Sequence, residues 1–210
     1  MSEEKVVVKK KYYDYISVGQ RTSQESYFVQ QHDKNRLLQE LTERFLNKQT
    51  LIVVKNKRSA DTLVRFFKEL AITNALAIHG NHRASQIEEA AISFNNKELS
   101  ILITTDRILE TLELKNVELL INYDLPFEHT DYFKRLRLVD EIAGAISLID
   151  PEDENALASI ELMMKCEMKE VELENFEHTP RTNISKKNRV KKPRHNKKKK
   201  VAKSDEESRK

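Results

Sequence analysis

Two sets of cations in this sequence are spaced to meet phosphate. Lys57 and Arg58 closely follow the short apolar run Leu51-Ile52-Val53-Val54 and stand ahead of a helical pattern. A cation at such a strand-to-helix corner lies beside the unpaired N–H groups of a helix N-terminus, a combination that suits an anion. A solvated loop would use the same two residues equally well. The second set is Lys186, Lys187, Arg189, Lys191, Lys192, Arg194, Lys197, Lys198, Lys199 and Lys200. No aromatic side chain interrupts it, so it offers charge without base stacking, and binding to nucleic acid should be blind to sequence and sensitive to salt. A solubilising tail, a nuclear address or a contact with anionic lipid would draw on the same charges.

Other chemistry is thinly supplied. Three glycines, Gly19, Gly80 and Gly144, cannot build a G-x-x-x-x-G-K-[ST] phosphate loop. The one cysteine, Cys166, lies at helical spacing among Leu162, Met163 and Met164, the setting of an inert packed thiol. It can form neither an internal disulfide nor a Cys-rich metal site. His79-Gly80 is placed to close a turn after a strand. Tyr12, Tyr13 and Tyr15 could stack on bases, although packing is the commoner use of such rings. No metal or cofactor is expected.

The net charge of +3 conceals a split. Residues 186–203 hold 11 of the 37 Lys and Arg and none of the 34 Asp and Glu, so the rest of the chain is acidic. Hydrophobic residues at 39% suffice for a core, and charged residues at 34% cover it with solvated surface. No apolar run is long enough to span a membrane, and the start Met1-Ser2-Glu3-Glu4-Lys5 lacks the apolar stretch of a signal peptide. A reducing, intracellular compartment fits: cytoplasmic, or nuclear or nucleolar if the source is eukaryotic.

The elements that must position these residues alternate. Residues 1–22 form a polar extension, with Val6-Val7-Val8 as its candidate strand. Tyr27-Phe28-Val29 has the pattern of a strand. Asp33 is placed to cap a helix carrying Leu37, Leu38, Leu41 and Phe45. Leu51–Val54 is apolar throughout, the mark of a strand covered on both faces. Ser59 could cap the next helix, with Leu63, Val64, Phe66, Phe67 and Leu70 inward. Strands follow at Ala75–Ile78, Ile101–Ile103, Leu119–Ile121 and Ala145–Ile149. Helices fall near Ser85–Phe94, from Thr130, and from Asp150-Pro151 with the proline in the first turn. This alternation predicts an α/β sandwich: a parallel sheet with helices on both faces, spanning residues 23–177. From His178 the apolar period stops, and residues 178–210 should be a disordered Lys/Arg-rich tail. Ligands of such sheets sit beyond the carboxyl ends of the strands.

Several strings carry a resemblance. Leu51 to Asp61, the segment Ala77-Ile78-His79-Gly80-Asn81 with Gln86 and Phe94 downstream, and Ile101 to Asp106 come in order. Asn116-Val117-Glu118-Leu119-Leu120-Ile121-Asn122-Tyr123-Asp124-Leu125-Pro126 follows, then Tyr132 and Arg135, then Ala145–Leu148 and Pro151-Glu152-Asp153. Together they resemble the second RecA-like lobe of DEAD-box RNA helicases over roughly residues 25–165. The resemblance implies a RecA-like sandwich and an RNA face that includes Thr105, with Gln86 and Lys57 as similar candidates.

The departures from that family matter as much as the matches. Where the family writes "ARG" after Thr-Asp, this chain has Leu109-Glu110-Thr111. Glu110 replaces the arginine, and Thr111 the glycine whose backbone freedom the family keeps. Glu89 stands where the "QxxR" pattern, begun at Gln86, expects arginine. A carboxylate there repels phosphate. The family's "HRxGRxGR" is Lys134-Arg135-Leu136-Arg137-Leu138-Val139-Asp140-Glu141, so Leu138 and Glu141 occupy the places of the last two arginines. Arg137 could replace one only by a slip of register. Such arginines contribute about 10³–10⁵ in rate to phosphoryl transfer. The 210 residues also hold no match to the ATP-binding first lobe and no Asp-Glu-Ala-Asp string. The expectation is therefore a non-catalytic helicase-like lobe that neither binds ATP productively nor hydrolyses it. It would bind RNA or ribonucleoprotein, mainly through the tail, with the body docked on structured RNA or on a protein partner such as a helicase or ribosome-associated factor. The alternatives are a subunit completing the ATP site of a separate first lobe, and a protein-interaction module that regulates a helicase. On the lobe itself, Thr105 and Asp106 could simply cap a turn, and Arg135 could pair with an acidic surface neighbour.

Overall fold

The computed structural model describes residues 15–174, 176 and 177. The ten tail cations, Val6-Val7-Val8, Tyr12 and Tyr13 lie outside the described residues. The strands are β1 (Ser23–Phe28), β2 (Thr50–Val53), β3 (Ala75–Ala77), β4 (Ile101–Thr104), β5 (Val117–Asn122), β6 (Val139–Ile149) and β7 (Lys169–Glu170). They form one sheet in the order β3-β4-β2-β5-β6-β1-β7, and every pairing is parallel. Every residue of the central strands β2 and β4 is buried, as their unbroken apolar runs require.

Helices cover both faces. On one side lie α1 (Tyr15–Arg21), α4 (Ala84–Asn95), α5 (Asp106–Leu109), α6 (His129–Leu136) and α7 (Glu154–Met164), sharing a core with Leu51, Val53, Leu102 and Leu120. On the other lie α2 (Lys34–Glu40) and α3 (Lys57–Glu69), packed on Ile52, Ile101, Ile103 and Ile121. Alternate residues of one strand thus feed opposite cores, and the expected two-faced α/β sandwich is the fold observed.

Local details differ from the sequence reading, each for a physical reason. The side chain of Asn56, not Ser59, caps α3, accepting from the Ser59 N–H at 3.0 Å. Asp33 precedes α2 without a capping bond from its side chain. Helix α7 starts at Glu154, because residues 151–153 form a turn tied by the Asp150 carboxylate to the Glu152 N–H at 2.7 Å. Residues 15–21, read as part of an extension, form helix α1. Tyr15 stacks on Phe133 at 4.5 Å between ring centroids, which is a packing role for that ring. A Cβ on Gly19 would stand 2.6 Å from Cβ of Met164, so only glycine allows α1 to approach α7 this closely. Strand β6 begins at Val139, six residues before the expected start, directly after α6.

Candidate nucleic-acid interface

The carboxyl ends of β3, β4 and β2, three neighbours in the sheet, bring the lobe's sequence-predicted residues to one edge. Lys57 and Arg58 are exposed in the first turn of α3, as the strand-to-helix corner predicted. Gln86 lies in the first turn of α4, and its side-chain oxygen accepts the Arg83 N–H at 3.0 Å. The first job of Gln86 is therefore to close a helix terminus. Thr105 is 8% exposed and precedes α5 in extended conformation, with no capping bond from its hydroxyl. Asp106 does not cap that turn either. Its two oxygens accept from Nε and Nη2 of Arg135, both at 2.7 Å.

Arg135 is thus paired with an acid, but not at the surface. It is fully buried, and its Nη1 also donates to Asn122 Oδ1 at 2.9 Å and to the Asp124 carbonyl at 2.8 Å. This arginine ties α5, α6 and the end of β5 together. His79 is buried beside Asp61, with Nε2 3.1 Å from the carboxylate, and its carbonyl accepts the His82 N–H at 2.9 Å, the turn closure expected of His79-Gly80.

Two of the positions that depart from the family, Glu110 and Leu138, are engaged as well. Glu110 lies 2.8 Å from Lys134, which also pairs with Asp131 at 2.9 Å. Hydrogen bonds to Glu110 and then Asp131 push the Lys134 ammonium above its ordinary range. Glu110 and Lys134 satisfy each other where the family would offer a cation to a ligand. Leu138 is half-buried against the core, and positions 139 and 141 already belong to β6. Glu89 is exposed on α4.

A further charge cluster escaped the sequence reading. Lys34 is fully buried, with its ammonium 3.3 Å from Asp124, 3.0 Å from Asp150 and 3.3 Å from Asp153. The other oxygen of Asp124 accepts the Lys55 N–H at 2.9 Å. Burial alone would lower the Lys34 pKa, but Asp124, Asp153 and Asp150 together outweigh it and hold the pKa above its usual range. Burial likewise works against the Asp150 carboxylate, and the hydrogen bond from Lys34 overcomes it, so its pKa falls. For Asp153 burial wins and the pKa rises. The available signal was positional: Asp124 and Asp150 each come just after a buried strand, where a carboxylate needs a partner. Nothing in the spacing of Lys34 marked it as that partner.

Known proteins share this architecture. The family model described as the helicase conserved C-terminal domain matches residues 33–137, half of the chain. Over 113 residues the chain is 34% identical to the ATP-dependent RNA helicase vasa of Drosophila melanogaster, covering 52% of this chain and 17% of that protein. A DEAD box protein from the hyperthermophile Methanococcus jannaschii superposes with a TM-score of 0.68 at 26% identity, over 74% of this chain and 43% of that one. The E. coli DEAD-box protein SrmB, solved bound to regulator of ribonuclease activity A, gives 0.68 at 18% identity over 76% and 98%, a likeness of fold alone. The chain spans about a fifth of the length of the curated relatives it matches.

Proposed function

This chain belongs to the helicase conserved C-terminal domain family, and from that premise we propose that it serves as a non-catalytic lobe that binds RNA or ribonucleoprotein. The observation that carries the reading is the junction of α6 and β6. The helix ends at Leu136 and the strand begins at Val139, so Leu138 is held against the core where the family would aim an arginine at phosphate. Glu110, ion-paired with Lys134, supports the same conclusion. Affinity for RNA comes from the ten tail cations, gripping phosphates without regard to sequence. Lys57, Arg58 and Thr105 add a weaker contact at the strand-end edge. The body takes a protein partner, a role in keeping with SrmB, whose matched chain was solved bound to another protein. An intracellular, reducing site of action accompanies this reading.

The rival is completion of an ATP site on a separate first lobe. The test is ATP turnover by the isolated first lobe of the vasa helicase with RNA, with and without this chain. No stimulation is expected, because neither Leu138 nor Glu141 can neutralise charge on a transferring phosphoryl group. RNA-dependent hydrolysis that appears on mixing would establish the rival.

A further inference from the structure

Phe127 is the most exposed large hydrophobic side chain among the described residues, at 92%. Single exposed apolar residues are ordinary, but the backbone holds this one out from both sides. Before it, Leu125 is buried in the core shared with α6. Asp124 is fixed three ways: one carboxylate oxygen accepts from Lys34, the other from the Lys55 N–H, and its carbonyl from Arg135. After it, the Glu128 carbonyl accepts the Asp131 N–H at 3.1 Å as α6 begins. A loop pinned at both ends therefore presents the ring with its two faces open.

Its location narrows the ligand. Phe127 follows β5, whose neighbours in the sheet are β2 and, beyond it, β4. The carboxyl ends of these three strands carry in turn Phe127, the exposed Lys55, Lys57 and Arg58, and Thr105. Adjacent strands lie about 4.7–4.9 Å apart. Phe127 stands three residues beyond Asp124, at most about 10–11 Å of chain, and Asp124 is bonded directly to Lys55. Glu128, exposed beside the ring, opposes phosphate, and the three cations outnumber it. An open ring beside cations is the combination that grips a single strand, with ring against base and charge against phosphate. The chain neighbours do not extend the ring into an apolar patch, since Leu125 and Pro126 are buried and Glu128 is charged. A lone ring thus suits a base, which offers one π-face, better than a protein interface, whose core is a contiguous apolar area. We propose that Phe127 stacks on a base of single-stranded RNA while Lys55, Lys57 and Arg58 hold the adjoining phosphates. Stacking here rests on the RNA binding proposed above and adds a base contact to it. It tolerates any base, in keeping with a tail that ignores sequence.

The chain has no tryptophan, so Phe127→Trp in the full chain puts a single fluorescent reporter at the stacking position. Leu162→Trp, at a residue 76% exposed on α7, is the control for random collision. Oligoadenylate supplies bases and phosphates, and inorganic polyphosphate supplies the charge alone. Oligoadenylate should quench the Phe127→Trp emission saturably, in step with binding followed by anisotropy of the labelled oligonucleotide. Polyphosphate should leave that emission unchanged, and Leu162→Trp should respond to neither probe. Phe127→Ala should weaken oligoadenylate binding at least about fivefold, the lower end of what one stacked base contributes, with affinity for polyphosphate and the melting temperature unchanged. Three results overturn the stacking site and leave the proposed RNA binding standing: oligoadenylate bound without quenching, equal quenching by polyphosphate, or full affinity in Phe127→Ala. Failure of the native chain to bind oligoadenylate at all overturns both.

Discussion

Lys34→Met is expected to cost the fold about 3–5 kcal/mol, the usual cost of removing one partner from a buried ion cluster. In urea this would lower the midpoint by roughly 2 M. The variant keeps the volume and removes the ammonium that Asp124, Asp150 and Asp153 share, and the side chains of those three are 8–11% exposed. Three carboxylates then face one another with little water, and they link the ends of β5 and β6, the start of α7 and, through Lys55, the end of β2. The pH dependence follows from the directions of the shifts. The raised Lys34 pKa gives stability that is complete below its unfolded value, near 10.5, and is lost as pH climbs through the higher folded value. The lowered Asp150 pKa gives stability complete above about 3.8 and lost as pH falls through the lower folded value. The raised Asp153 pKa runs the other way and offsets part of the Asp150 effect. In Lys34→Met, protonating the orphaned carboxylates should relieve their repulsion. The gap to the wild type, measured by urea denaturation, should therefore narrow as pH falls from 7 towards 4. A deficit under about 1 kcal/mol at pH 7 would mean that the cluster behaves as a surface pair.

Arg135→Leu should cost about 3–4 kcal/mol, since one guanidinium serves four acceptors without exposure. Asp106 is 27% exposed and can regain some water, which keeps the figure below the top of the range. Asn122 Oδ1 and the Asp124 carbonyl are deeper and would lose a donor outright. Arg135→Lys should recover less than half of the loss, because an ammonium cannot reproduce the paired 2.7 Å bonds to both oxygens of Asp106. Full rescue by lysine in thermal melts would show that charge alone, not the fork, holds α5 to α6. Both predictions concern the stability of the lobe, because both clusters join elements of the sheet and its helices.

The fold was legible because its signals are local. Leu51–Val54 and Ile101–Ile103 are apolar without interruption, and only a strand buried on both faces tolerates that between polar turns. Helix ends were less legible. Asn56 and Ser59 are both good caps, and only the backbone geometry decides which side chain meets which N–H. Lys34 looked like any solvated helix residue, because its partners lie 90, 116 and 119 positions away. Arg135 was recognisable as a residue of interest, but its burial came from the packing of α5, α6 and β5 and from nothing in its own helix. The substitutions at 110 and 138 were visible as letters. That Glu110 finds Lys134, and that Leu138 leads straight into β6, needed the structure.

The central claim, a lobe whose RNA affinity resides in its tail, is tested most directly by salt dependence. Binding of a labelled oligouridine is followed by anisotropy between 50 and 200 mM salt. The full chain is compared with a full-length variant in which the ten cations between residues 186 and 200 are glutamine. With about 6 phosphates engaged on a single strand, log K for the native chain should fall against log salt with a slope near −4. The variant should lose nearly all affinity at low salt. A variant that binds within about threefold of the native chain, with a shallow slope, would place the RNA site on the lobe's strand-end edge and contradict the account.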